Sequence, residues 1–337
     1  MEKIVYENSL LDDDLMNIEK KNVIRVFNLT KKFGDLIAVE NTSFSIKKGD
    51  IVGILGPNGA GKTTTIRLLT GVFELESHSK IEILGEDIAK NPSQYKKNFG
   101  IIPEVSNAFS DYTVWQNMKF SGGIYGISKE LIKKRSKKLL TQFNLINKIH
   151  SKTKTLSKGL KQRLNLCLAL LHDPPILILD EPTSGLDPIS VNLMRNQILK
   201  LKEEGKTILI TTHNMREAQK ICDRILIMNK GKIIADESPT YLREKFKSTS
   251  TILFKIKGQV STDLKKTLLN TFNISEKKGN YVLNSYNAII DIANLYQLSK
   301  EKKIKISGLK LRDTSLEEVF IHLIEDDLKN KEEMSNK

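Results

Sequence analysis

Gly56-Pro57-Asn58-Gly59-Ala60-Gly61-Lys62-Thr63 fits G-x-x-x-x-G-K-[ST] at every specified position. Its glycines let the backbone curl until successive N–H groups converge on phosphate oxygens. A helix starting at the loop's end would add unpaired N–H groups and the positive end of its dipole. Lys62 then reaches the β- and γ-phosphates, and the Thr63 hydroxyl is a ligand for Mg²⁺. Gly56 to Thr63, with Thr64 beside them, are therefore candidate nucleotide contacts.

Two further groups could act on a bound phosphate. Asp180-Glu181 ends the apolar run Ile176-Leu177-Ile178-Leu179, and ligands in α/β sheets sit at the carboxyl ends of strands. Side chains alternate along a strand, so the two acids point differently. Asp180 suits the Mg²⁺ shell, and Glu181 suits orienting or deprotonating an attacking water. Alone, such a pair is an ordinary strand end; an intact phosphate loop gives it meaning. His213 follows Thr207–Thr211. A solvated loop histidine is its plain reading, but a strand end in the same sheet gives it a route to the γ-phosphate. Ser157 precedes a helix-like stretch containing Leu164, Leu166, Leu168, Ala169 and Leu171. A serine at that N-cap offers a hydroxyl beside unpaired N–H groups, which is a metal-free anion site or simply a capped core helix.

The elements that must position these residues follow from periodicity. Val23–Leu29 alternates as a half-buried strand, and a second strand is expected around Asn41–Ile46. Ile51–Leu55 is a continuous apolar run typical of a strand buried on both faces, with helix-like Thr64–Leu69 after the loop. From Glu104 to Lys154 the pattern is helical, with Leu131–Leu145 mixing lysines and apolar residues. Strand signals return at Ile176–Leu179 and Thr207–Thr211, the α/β alternation of a parallel core. Arg224–Met228 and Lys232–Ala235 flank an Asn229-Lys230-Gly231 turn. After Ala235 the character changes. Strands at Thr251–Lys257, Phe272–Glu276, Tyr281–Asn284 and Lys303–Ser307, with helices at Thr262–Leu269 and Ala288–Leu295, give β-α-β-β-α-β, the ferredoxin-like pattern. A helix over Ser315–Leu328 closes it. The expected organisation is a polar leader at 1–22, a nucleotide-binding domain at 23–240 with a helical part at 105–155, and an accessory domain at 245–337.

Composition narrows the function. The 337 residues are 39% hydrophobic, enough for a real core, and carry 54 Lys and Arg against 40 acids, a net +14. Such a balance invites nucleic acid or an anionic membrane as partner. Only nine of those cations are arginine, and aromatics make up 6% of the chain, which is thin for base recognition and stacking. Cys167 and Cys222 form no C-x-x-C pair, so neither a zinc site nor a disulfide framework is expected. The start MEKIVYENSLLDDDL lacks the features of a signal peptide, and no apolar stretch approaches membrane-spanning length. A soluble chain is expected, with any membrane connection made through a partner.

Taken together, these residues make the sequence resemble the nucleotide-binding subunit of ATP-binding cassette (ABC) transporters. Leu156-Ser157-Lys158-Gly159-Leu160-Lys161-Gln162-Arg163 looks like the family signature, usually LSGGQ, and Ser184-Gly185-Leu186-Asp187 looks like its D-loop. His213 falls where the family has its switch histidine, and Phe33 where an aromatic stacks on adenine. The resemblance implies a P-loop NTPase core with an antiparallel β subdomain and a helical subdomain, α/β in class. It implies ATP and Mg²⁺ as ligands, with Thr63, Glu104 and Asp180 around the metal. Glu181, His213 and Lys62 would carry hydrolysis. Ser157, Gly159 and Asp187 would close on the nucleotide of a second subunit in a head-to-tail dimer.

Two departures stand out. Lys158 and Leu160 replace a glycine and a glutamine of the signature, and Ile102-Pro103-Glu104 carries glutamate where the family has glutamine. The extension ending Thr314-Ser315-Leu316-Glu317-Glu318-Val319-Phe320 resembles that of daunorubicin-resistance-type exporters, whose permeases are separate chains. The expected function is an ATPase at the cytoplasmic face of the membrane that powers export. A soluble ABC ATPase acting on nucleic acid or ribosomes is the rival, but the chain has neither a paired cassette nor a heptad tract. The accessory domain could also serve as a ligand-binding regulator or dimer clasp, and no residue in it identifies a ligand.

Overall fold

The computed structural model describes residues 22–90, 95–245, 250–257, 274–277, 280–285, 287–301, 304–312 and 315–321, together with 323, 324 and 327. The chain divides between Glu237 and Ser238 into two units.

The alternating apolar residues at the start of the first unit form strand β1 (Asn22–Phe33), which folds back on β2 (Leu36–Lys47). The second strand begins well before the expected Asn41. The turn lies at Gly34-Asp35, with Gly34 at φ 58°, and Phe33 pairs with Leu36 at the hairpin tip. β3 (Ile51–Leu55) is buried along its whole length and feeds the phosphate loop and helix α1 (Lys62–Leu69). β4 (Lys80–Ile83) and β5 (Glu86–Asp87) extend the first hairpin into an antiparallel sheet of order β2-β1-β4-β5. β6 (Phe99–Ile102) starts the return toward the parallel sheet.

The expected helical segment contains α2 (Val114–Ile124) and α3 (Lys129–Gln142). Thr113 and Gln116 make a reciprocal capping box on α2, and Ser128 caps α3. There follow α4 (Lys158–Leu170), β7 (Ile176–Asp180), α5 (Pro188–Glu203), β8 (Thr207–Thr212), α6 (Met215–Ile221), β9 (Arg224–Asn229) and β10 (Lys232–Glu237).

The larger sheet has the order β10-β9-β3-β8-β7-β6. All its pairs are parallel except the edge hairpin β9–β10. One hydrophobic core joins the two sheets: Ile24, Val26, Ile46 and Ile81 of the antiparallel sheet cluster with Val52, Ile178, Leu209 and Leu226 of the parallel one and with Leu68 and Leu69 of α1. A sheet covered on both faces explains why its strands read as continuous Ile/Leu/Val runs.

The second unit begins with α7 (Pro239–Lys245). Strands β11 (Ser250–Lys257), β12 (Ile274–Lys277), β13 (Asn280–Ser285) and β14 (Lys305–Arg312) form an antiparallel sheet of order β12-β13-β11-β14, with helix α8 (Ala288–Glu301) between the last two. Ile252, Phe254, Leu283, Leu295 and Leu298 form its core. The helix expected over Thr262–Leu269 lies outside the described residues.

Candidate functional site

Parallel strands place their carboxyl ends on one edge of the sheet, and four of those ends carry the candidate residues. β3 runs into the phosphate loop, β6 into Ile102-Pro103-Glu104, β7 ends on Asp180-Glu181, and β8 ends at Thr212 before His213. Register fixes their heights: Leu55 pairs with Thr212, Asp180 with Thr211, and Ile102 with Leu179. The result is a cavity of about 700 Å³ lined by Phe33, Asn58 to Thr64, Glu104, Glu181 and His213. Gly56, Pro57, Asp180, Ser157, Gly159 and Asp187 are absent from that lining.

The phosphate loop is braced before any ligand arrives. The Gly61 backbone has φ 105°, a conformation that strains any residue with a side chain, and a Cβ there would lie 2.4 Å from the Ala38 carbonyl oxygen. The Gly231 N–H donates to the Ala60 carbonyl at 2.9 Å, tying the loop to the β9–β10 turn. Lys62 is buried, and its ammonium donates to the carbonyls of Gly56 (2.8 Å) and Pro57 (3.1 Å). Those two residues thus hold the lysine. Burial pushes the Lys62 pKa down, while the carboxylates of Glu181, Asp180 and Glu104 oppose that shift. The ammonium therefore sits in an acidic surround that a polyphosphate can reorganise.

The acid pair is organised by a residue that the sequence reading passed over. The Thr211 hydroxyl, fully buried, donates to Asp180 Oδ1. The Thr211 hydroxyl oxygen in turn accepts from the Glu181 N–H at 3.2 Å, and the Thr211 carbonyl accepts from that N–H at 3.1 Å. Glu181 sits at φ 49°, a left-handed conformation that costs a non-glycine residue on the order of 1–3 kcal/mol. These bonds turn the Glu181 side chain into the cavity, where its Oε1 lies 3.0 Å from His213 Nδ1. Asp180 stays behind it, 7% exposed. The expected divergence of the two acids is produced by this backbone turn.

The signature residues occupy a separate place. Ser157 caps α4, its hydroxyl accepting from the Leu160 N–H at 3.4 Å. Asp187 caps α5, accepting from the N–H groups of Ile189 and Ser190 at 3.0 Å each and from the Ser190 hydroxyl at 2.5 Å. The Ser190 hydroxyl bond, followed by the backbone ones, holds the Asp187 carboxyl below the usual carboxylate range. The two helix starts nearly touch: a Cβ on Gly159 would lie 2.6 Å from Ser190 Oγ. Lys158 folds its side chain over Gly185, where an added Cβ would lie 2.3 Å from its Nζ. Ser157 and Asp187 are both exposed.

Comparisons with known proteins bear on the family and the fold. The family model described as ABC transporter matches residues 39–184. A Nod factor export ATP-binding protein I from Burkholderia lata is 41% identical over 217 residues, covering 64% of this chain and 71% of that protein. The chain belongs to the ABC transporter ATP-binding family. Similarity to the linearmycin resistance ATP-binding protein LnrL of Bacillus subtilis runs through 305 residues at 31% identity, covering 89% of this chain and 98% of the relative. Among solved structures, an ATP-binding subunit of an ABC transporter matches with a TM-score of 0.61 at 30% identity, over 66% of this chain and 93% of that one.

As an ABC ATP-binding protein, the chain binds and hydrolyses ATP, and its family couples that hydrolysis to transport. Besides Thr211, sequence reading missed Leu36, Ile37, Ala38 and Lys230, which also line the cavity. The Gly34-Asp35 turn and the Asn229-Lys230-Gly231 turn were the available signals for them. Among the described residues no cluster of three or more His, Cys, Asp or Glu could hold a metal by itself, and no helix is long and apolar enough to cross a membrane. Cys167 and Cys222 are buried and unpaired. Burial pushes the Cys222 thiol up to about 12, which makes it inert.

Proposed function

We propose that this ABC ATP-binding protein works as a Mg²⁺-dependent ATPase that pairs head-to-tail with a second subunit and drives export through a separate permease. The observation that carries the reading is the convergence of four strand ends on one cavity, with Lys62, Glu181 and His213 on its wall. The N–H groups of residues 58–63 receive the phosphates, and Phe33, Leu36 and Ile37 receive the base. Phe33 is 43% exposed and packs edge-on against Phe73 at 5.3 Å, so it is braced and still accessible.

The oxygen donors fit Mg²⁺, which takes one or two carboxylates and keeps the rest of its shell for phosphate and water. Thr63, Glu104 and Asp180 would hold it, and it would neutralise charge developing on the phosphate oxygens. Glu181 orients the attacking water and accepts its proton, and His213 keeps that carboxylate aimed. Lys62 and the loop N–H groups stabilise the charge on the transferred group.

Ser157, Gly159 and Asp187 stand apart from this cavity, which supports a role on the nucleotide of a second subunit. Export is supported by the relatives named for Nod factor export and linearmycin resistance. A hollow of about 600 Å³ lined by Tyr112, Gln116, Lys119, Phe120, Gly123 and Ile124, with Ile124 68% exposed, supports docking of the permease on the helical segment. That partner would hold the protein at the cytoplasmic face of the membrane. Glu181→Gln tests the assignment: ATP should still bind, while steady-state hydrolysis falls by at least about 100-fold. Hydrolysis at the parent rate would remove Glu181 from the role.

A further inference from the structure

The positive charge of the chain is unevenly distributed. Residues 105–155 hold ten Lys and Arg and only two acids, Asp111 and Glu130, a net +8 in a chain whose total is +14. Asp111 is neutralised by Lys154 at 2.8 Å. The excess gathers on the solvent face of α3, since Ile132, Ser136 and Leu140 turn inward while Lys133, Lys134, Lys137 and Lys138 are exposed.

Lys133 and Lys137, one helical turn apart, rim an apolar hollow of about 250 Å³. Trp115, Ile146, Ile149 and His150 complete it. Trp115 is the chain's single tryptophan and is half-buried. Among the described residues, no acid lies within ion-pair distance of either lysine. This hollow is distinct from the Tyr112–Ile124 one and shares no residue with it.

We propose that this face binds the anionic phospholipid surface of the membrane directly, with Trp115 entering the headgroup boundary and Lys133 and Lys137 meeting lipid phosphates. Three observations favour lipid over nucleic acid. The rim is made of lysines, whose long apolar stems suit an interface where the charge must stay wet. The segment's one arginine, Arg135, is half-buried and donates to the Leu171 carbonyl at 3.0 Å. Apolar Ile146 and Ile149 beside a tryptophan form the amphipathic combination found at membrane interfaces. The contact adds to whatever grip a permease supplies, and it does not depend on the reading of the catalytic cavity.

The test uses the purified full chain and lipid vesicles without any permease. Its one tryptophan reports the contact. With vesicles of phosphatidylcholine containing a minor fraction of phosphatidylglycerol, Trp115 emission should shift to the blue and the protein should sediment with the lipid. Both effects should be weaker at high salt and absent with pure phosphatidylcholine. Replacing Lys133→Gln and Lys137→Gln together should lower vesicle affinity about 25-fold, roughly fivefold per charge. Basal ATP hydrolysis, which uses neither lysine, should be unchanged and so report an intact fold. The proposal fails if the anionic vesicles produce no shift, or if the double variant binds them as the parent does. It also fails if a random-sequence RNA or soluble glycerol phosphate shifts Trp115 emission and vesicles do not.

Discussion

The end of the parallel sheet and the start of α4 both look built for phosphate, yet they are finished to different degrees. In the cavity, Lys62 is buried against two carbonyls, Asp180 and Glu181 share Thr211, and Glu181 reaches His213. Each group is held by another part of the same chain. At the helix start, Ser157 and Asp187 are exposed, and their bonds are the local ones of helix caps. A preassembled pocket can hold a ligand alone. An exposed cap with a hydroxyl and unpaired N–H groups needs a surface pressed against it before it excludes water. The contrast is what one polypeptide should show if it contributes a whole binding site and half of another.

Thr211 offers the sharpest way to break the finished side. Thr211→Val keeps shape and removes the hydroxyl, leaving a buried Asp180 oxygen without its partner and weakening the hold on the Glu181 N–H. The unsatisfied carboxylate should cost about 1–3 kcal/mol of stability. Loss of Glu181 aim should lower the hydrolytic rate by up to about 100-fold. Thr211→Ser, which restores the oxygen, should recover most of both. The separating readout is ATP affinity without divalent ions, which a positioning role leaves near the parent value. If the serine variant hydrolyses as poorly as the valine one, packing of the methyl group governs and the hydroxyl does not.

Ser157→Ala probes the unfinished side and should act more gently. The α4 cap is lost, at about 1 kcal/mol. ATP binding to the separated chain should not change, whereas ATP-driven dimer formation and hydrolysis should drop about tenfold, the worth of one hydrogen bond to a charged group. Weakened ATP binding by the monomer would erase the distinction between the two regions. Measuring ATP binding over a wide range of protein concentrations sharpens it.

What could be read beforehand follows from how local each feature is. β3, β7 and β8 are buried on both faces, so their apolar runs announce them, and the phosphate loop is a contiguous motif with its own chemistry. β6 is four residues with a glycine inside, β4 is also four and β5 only two, so none has enough residues to display a period. The start of β2 was misjudged because Leu36-Ile37-Ala38 follows its turn at once and shows no polar alternation. Thr211 was invisible as an organiser because its role depends on the register of β7 against β8. The contact of Lys158 with Gly185 joins segments separated by β7, and only the fold brings them together. Motif residues were thus legible where chemistry is contiguous, and their supports were hidden wherever the support comes from a neighbouring strand.

The smallest effect belongs to Asp187, and it tests whether the end of the D-loop, at the start of α5, is held electrostatically. The Ser190 hydroxyl and the N–H groups of Ser190 and Ile189 stabilise the ionised carboxylate, which depresses its folded-state pKa. A depressed carboxyl pKa means that the unfolded chain takes up the proton first as pH falls. Its stabilisation is therefore complete above the ordinary carboxylate range and fades as pH falls through the depressed value. Asp187→Asn keeps an amide oxygen for the helix cap but has no charge to lose. Melting curves of parent and variant should be separated by a small, constant gap near neutral pH, with the parent higher, and should converge on acidification. A gap that widens as pH falls would mean that the Asp187 carboxylate is strained where it sits. The constraint on Ser190, and through it the close approach of Gly159, would then have another source.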